Sequence, residues 1–149
     1  MNERKMKTRK RIALVAHDNK KTELIEWAVY NKAALNGHQL FATGTTGLLI
    51  EKALDRDVTT FLSGPLGGDQ QIGAAIAEGK LDILIFFWDP MEAQPHDPDI
   101  KALLRVAVTW NIPIACDRAT ADFILTSPLI HEDYEPKLTD YSTYLKRKL

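Results

Sequence analysis

The stretch "DILIFFW" (82–88) is the most apolar run in the chain, and it does not alternate. A strand with one wet face reads apolar–polar–apolar. A strand buried on both faces reads as a continuous apolar run. The run is also too short for an ordinary helix, and so it predicts a central strand covered by helices on both sides.

The flanking sequence repeats this logic. "RIALVA" (11–16), "HQLFA" (38–42), "VTTFL" (58–62) and "IPIAC" (112–116) are short strand-like segments. Between them lie helical patterns at about 19–35, 45–54, 69–79, 99–110 and 119–125, with Gly37 and Gly79 as stop signals. "DPMEAQPHDP" (89–98) carries three prolines in ten residues and predicts a loop, with Asp99 as the cap of the next helix. Strands alternating with helices five times predict an α/β fold, a three-layer doubly wound sheet of about five parallel strands flanked by helices.

Composition sets bounds. The chain has 149 residues, 45% apolar and 26% charged, which suits one soluble domain. We divide it into a basic tail over 1–10 and a single domain over 11–149. The first eleven residues carry net +5 and the rest net −6. A basic tail on an acidic body reads as a solvated arm, and no base-stacking or zinc spacing points to nucleic acid. No apolar run reaches membrane-spanning length, and no signal-peptide core comes after the basic start, so a cytoplasmic protein is expected. Cys116, the only cysteine, reads as a small buried residue at a strand end.

In an open parallel sheet, ligands bind beyond the carboxyl ends of the strands. The residues just past each strand are therefore informative. Strand one runs into His17-Asp18, strand two into "TGTTG" (43–47), strand three into "SGPLGGD" (63–69), and strand four into Asp89, then His96 and Asp99. Neither glycine stretch is a nucleotide loop of the G-x-G-x-x-G or Walker type. Bare backbone N–H groups, the hydroxyls of Thr45, Thr46 and Ser63, and helix starts suit a small phosphate ester; tight turns and caps are the bland alternative. Lys20 and Lys21 oppose the dipole of the helix they open, which marks Lys21 as a phosphate partner or as a solvated cation. Asp69 reads as a helix cap, a general base, or both. His17 and His96 read as structural or proton-handling residues, with Asp89 and Asp99 as caps or orienting partners. No ligand spacing supports a metal site.

These blocks resemble the methylglyoxal synthase family: "LVAHD" (14–18), "ATGTTG" (42–47), "SGPLGGDQQIGA" (63–74), "IFFWDP" (85–90) and "QPHDPD" (94–99) stand in its order and spacing, over about residues 11–128. The resemblance implies conversion of dihydroxyacetone phosphate to methylglyoxal and inorganic phosphate through an enediolate, with no metal and no organic cofactor. It implies Asp69 as catalytic base, His17 and His96 on substrate oxygens, and Asp18, Asp89 and Asp99 in support. Lys21, Thr43, Thr45, Thr46, Ser63 and Gly64 fall at its phosphate-contacting positions. It also implies a homohexamer inhibited by phosphate. A regulatory module of the same fold, which binds a phosphorylated effector without turnover, is the alternative.

Overall fold

The computed structural model describes residues 4–92 and 97–146, with backbone alone for 97–99. The chain runs β1 (Arg11–Ala16), α1 (Lys21–Tyr30), α2 (Lys32–Leu35), β2 (Gln39–Thr43), α3 (Gly44–Leu54), β3 (Thr59–Phe61), α4 (Gly68–Ala77), β4 (Ile83–Phe87), α5 (Asp97–Thr109), β5 (Ile114–Ala115), α6 (Arg118–Thr126) and α7 (Ser142–Lys146). The five strands form one sheet in the order β3-β2-β1-β4-β5, and every pairing is parallel. The apolar run at 82–88 supplies β4, in which all residues are buried, between β1 and β5.

Side-chain parity divides the interior into two cores. Ile12 and Leu14 of β1 join Ile83, Ile85 and Phe87 of β4 against α1, α3 and α6. Ala13 and Val15 join Leu84 and Phe86 against α4 and α5. Both faces of the central strands are thus covered, which is why neither strand alternates. Strand order reverses between β1 and β4, and that is where a crevice opens at the carboxyl edge.

Several expectations are corrected. The helix predicted over 19–35 is interrupted. A 3₁₀ turn covers Asp18–Lys20, and the helix breaks at Asn31, whose side chain donates to the Trp27 carbonyl at 2.9 Å in competition with the backbone. α5 begins at Asp97, so Asp99 lies inside its first turn and is not the cap. Pro98 is tolerated there because a first-turn N–H has no intrahelical partner. α4 begins at Gly68 behind a Gly67 cap, so Asp69 is a first-turn residue and not the cap either. Cys116 is half-buried, and burial, then Asp117, pushes its thiol up, away from thiolate chemistry.

The basic arm is not wholly solvated: Arg4, Met6 and Lys10 anchor it, while Lys5, Lys7, Thr8 and Arg9 are exposed. Met6 is buried in the α4–α5 core and bridges to Tyr134. Arg4 stacks over Trp110 at 3.8 Å and donates to the Ile76 carbonyl at 2.7 Å.

Candidate functional site

A cleft of about 290 Å³ opens at the carboxyl ends of β1, β2 and β3. It is lined by His17, Asp18, Lys21, Thr43, Gly44, Thr45, Thr46, Ser63, Gly64, Pro65, Asp69 and Glu92, over a floor that includes Val15, Phe86 and Ile100. A second cavity of about 250 Å³ at the amino end of the sheet is walled mainly by apolar groups such as Met6, Ile83 and Ile130. Convergent polar groups distinguish the first.

Each strand end contributes through local backbone geometry. The His17 N–H bonds the Phe87 carbonyl at 3.2 Å, extending the β1–β4 ladder by one step and fixing His17 at the switch point. Its ring stands edge-on to Phe86, 5.2 Å between centroids. Asp18 and Lys21 pair at 2.9 Å, and Lys21 Nζ donates to Thr45 Oγ1 at 3.2 Å, joining the first loop to the second. Thr43 and Thr46 are buried.

The glycine loop closes on itself. The Ser63 carbonyl accepts from the N–H groups of Leu66 at 3.0 Å and Gly68 at 2.9 Å. Gly67 turns the chain at φ +109°, in the left-handed region. A Cβ on Gly68 would lie 2.0 Å from the Leu62 carbonyl oxygen, so only glycine fits. Gln71 Oε1 accepts the Leu62 N–H at 2.7 Å and ties the loop to α4. The result carries Asp69 over Gly64: its carboxylate oxygens lie 3.8 and 3.9 Å from where a Cβ at Gly64 would stand.

Asp89, just past β4, is buried. Its carboxylate accepts from Asn19 Nδ2 at 3.0 Å and from the Met91 N–H at 2.9 Å. Those two bonds, the Asn19 one first, hold its carboxyl below the usual carboxylate range. Its own N–H donates to His17 Nδ1 at 3.0 Å, so it orients the ring through the backbone.

The structure gathers nine of the predicted site residues, His17, Asp18, Lys21, Thr43, Thr45, Thr46, Ser63, Gly64 and Asp69, around one cleft, and Asp89 stands behind it on His17. His96 lies outside the described residues, as does the side chain of Asp99. Sequence reasoning missed Asn19, Gln71 and Glu92. Glu92 Oε2 sits 2.9 Å from His17 Nδ1; lying in a proline-rich loop without periodicity, Glu92 offered no signal beyond its place after β4.

Electrostatically, the first turns of α3 and α4 meet at the cleft, and Lys21 adds a full positive charge. The arrangement suits a small anion. A carboxylate and an imidazole beside it suit proton transfer next to that anion. Among the described residues no group of three or more His, Cys, Asp or Glu is arranged to hold a metal ion, and no helix is long and apolar enough to cross a membrane.

Comparison with known proteins agrees with this chemistry. Residues 23–116 match the family model described as "MGS-like domain". The chain is 59% identical to a methylglyoxal synthase of Coxiella burnetii, over 94% of this chain and 98% of that protein. It is 58% identical to one from Proteus mirabilis, over 99% and 97% respectively. The crystal structure of methylglyoxal synthase from Elizabethkingia anophelis superposes with a TM-score of 0.92 at 55% identity, covering 100% of this chain and 98% of the other.

Proposed function

The chain belongs to the methylglyoxal synthase family, and from that premise we propose how its cleft performs the reaction. The activity is that of a lyase acting on a phosphate ester, converting dihydroxyacetone phosphate to methylglyoxal and inorganic phosphate. The regulatory-module reading is set aside, because relatives matched along nearly their whole length are synthases.

The substrate phosphate sits at the starts of α3 and α4, held by backbone N–H groups around Gly64, by Thr43, Thr45, Thr46 and Ser63, and by Lys21. Asp69 removes a proton from the hydroxymethyl carbon. His17, together with His96 by motif, hydrogen-bonds the enediolate oxygens as charge develops there. Asp18, Asp89 and Asp99 keep these groups oriented. The cradle holds the phosphate C–O bond out of the enediolate plane, so the electron pair can expel phosphate. The observation that best supports this reading is the Asp69 carboxylate lying over Gly64 in the same cleft as Lys21 and the hydroxyls. We further infer that the enzyme works without metal or organic cofactor, in the cytoplasm, as a homohexamer, and that product phosphate inhibits it by occupying the cradle.

The test is to incubate the protein with dihydroxyacetone phosphate and a chelator, monitoring methylglyoxal and phosphate together. Equal release of both, abolished by Asp69→Asn, is expected. Release that persists in Asp69→Asn would overturn the assignment of the base.

A further inference from the structure

A glutamine near the start of a helix ordinarily bonds backward onto the N–H of the cap residue. Gln71 reaches further. It sits at the end of the first turn of α4, where its own N–H donates to the carbonyl of the Gly67 cap at 3.0 Å. Its side chain passes the cap and arrives at the end of β3, where Oε1 accepts the Leu62 N–H at 2.7 Å. β3 is an edge strand, and Leu62 follows Phe61, the last residue that pairs with β2. The carboxamide takes hold of the chain where the sheet lets it go.

The start of α4 thus grips this segment twice. Gly68 packs bare against the Leu62 carbonyl, where a Cβ would lie 2.0 Å from the oxygen, and its N–H donates to the Ser63 carbonyl at 2.9 Å. Gln71 holds the amide side of Leu62. Asp69 stands between these two grips in the sequence. The same grips place the Ser63–Gly64 step, over which the Asp69 carboxylate lies, 3.8 and 3.9 Å from where a Gly64 Cβ would stand.

We propose that Gln71 is a positioning residue for the reaction: by clamping Leu62 to α4 it sets the distance between the Asp69 carboxylate and the phosphate cradle. The proposal rests on the reading of Asp69 as the base and of Ser63 and Gly64 as phosphate contacts. The phosphate fixes the substrate to the cradle, and the base rides on α4. The Leu62–Gln71 bond therefore governs how near the carboxylate comes to the hydroxymethyl carbon. Proton removal needs the reacting atoms about 3–3.5 Å apart, and a misplacement of about 1 Å can cost about 100-fold in rate. Leu62 and Gln71 are both exposed, so water takes over the N–H once the carboxamide is gone and the fold loses little. Water does not, however, tie the loop to the helix.

Gln71→Met keeps the length of the side chain and removes the acceptor. We expect the urea midpoint to hold and kcat to fall about tenfold or more, with KM changing less because Lys21 and the threonines still hold the phosphate. Dihydroxyacetone phosphate deuterated at the hydroxymethyl carbon should show an isotope effect on kcat at least as large in this variant as in the unmodified protein, since a misplaced base slows proton removal. Gln71→Glu restores an acceptor on the same stem, and its kcat at saturating substrate should recover most of the loss. A lowered urea midpoint in Gln71→Met, a kcat within about twofold of the unmodified protein, an isotope effect that disappears, or a loss that Gln71→Glu does not recover would each overturn the role of Gln71. Asp69→Asn separates that failure from the parent reading: an inactive variant leaves the base assignment standing, and an active one sinks it.

Discussion

Lys21 is a first-turn cation on α1, where the helix dipole disfavours it by about 0.3–1 kcal/mol. Asp18, 2.9 Å away, offsets part of that cost, and the rest is tolerated because the ammonium reaches Thr45 across the cleft. The two roles separate on substitution. Lys21→Met should leave the thermal midpoint almost unchanged, since it removes a locally unfavourable charge. It should raise KM about 10- to 100-fold, the worth of one charge-assisted bond of about 1.5–3 kcal/mol. Steady-state kinetics beside a melting curve checks both; an unchanged KM would return Lys21 to the solvated surface. Asp69 was legible in the sequence as an acid at a helix start. Its being a first-turn residue and not the cap was not, because Gly67 takes the cap position two residues earlier. Glu92 was illegible because its partner, His17, is brought to it only by the β1–β4 pairing.

At the scale of elements, two of the three glycines between Ser63 and the start of α4 have separable duties. Gly68 is required by packing: a Cβ there would meet the Leu62 carbonyl oxygen at 2.0 Å. Gly68→Ala should therefore push the loop off β3 and cost stability, about 2 kcal/mol or more in urea unfolding. Gly64 has a φ compatible with alanine, and its Cβ would stand 3.8 Å from Asp69 Oδ2. Gly64→Ala should fold with near-normal stability, its methyl in ordinary contact with the carboxylate, yet take up room in the phosphate cradle and slow turnover. Stability lost at Gly64 and kept at Gly68 would contradict these two assignments. The elements themselves were legible wherever the apolar pattern is strong, as in the unbroken run of the strand at 83–87. Boundaries slipped where a side chain or a proline acts locally, at Asn31 and at Pro98, since periodicity carries no record of either.

For the whole molecule, the sheet order decides what packs where, and the ends of the chain are used to close it. The first residues read as a charged arm because their charge pattern hides one apolar side chain. Met6 is 3% exposed and sits among Ala13, Leu81 and Leu84. Met6→Ala should cost about 2–5 kcal/mol, the usual range for a buried methionine, despite its place in a basic tail; a change below about 0.5 kcal/mol would restore the solvated-arm reading. At the same end of the sheet, buried His38 accepts the Lys10 backbone N–H through Nδ1 at 2.9 Å, and its ring stacks on His131 at 6.3 Å. Burial, then the charges of His131, Lys10, Arg56 and Arg9, lower its pKa from the ordinary 6.5. In the unfolded chain His38 takes its proton near 6.5, while the folded protein refuses it until lower pH. Between those points the unfolded state binds more protons, so stability falls as pH drops, by up to about 1.4 kcal/mol per pH unit. Above that window the contribution is fully present. His38→Asn keeps an acceptor for Lys10 and removes the titration. Urea midpoints at about pH 8 and 5.5 should therefore drop for the unmodified protein and change less for the variant. Equal drops in both would assign the acid sensitivity to other groups.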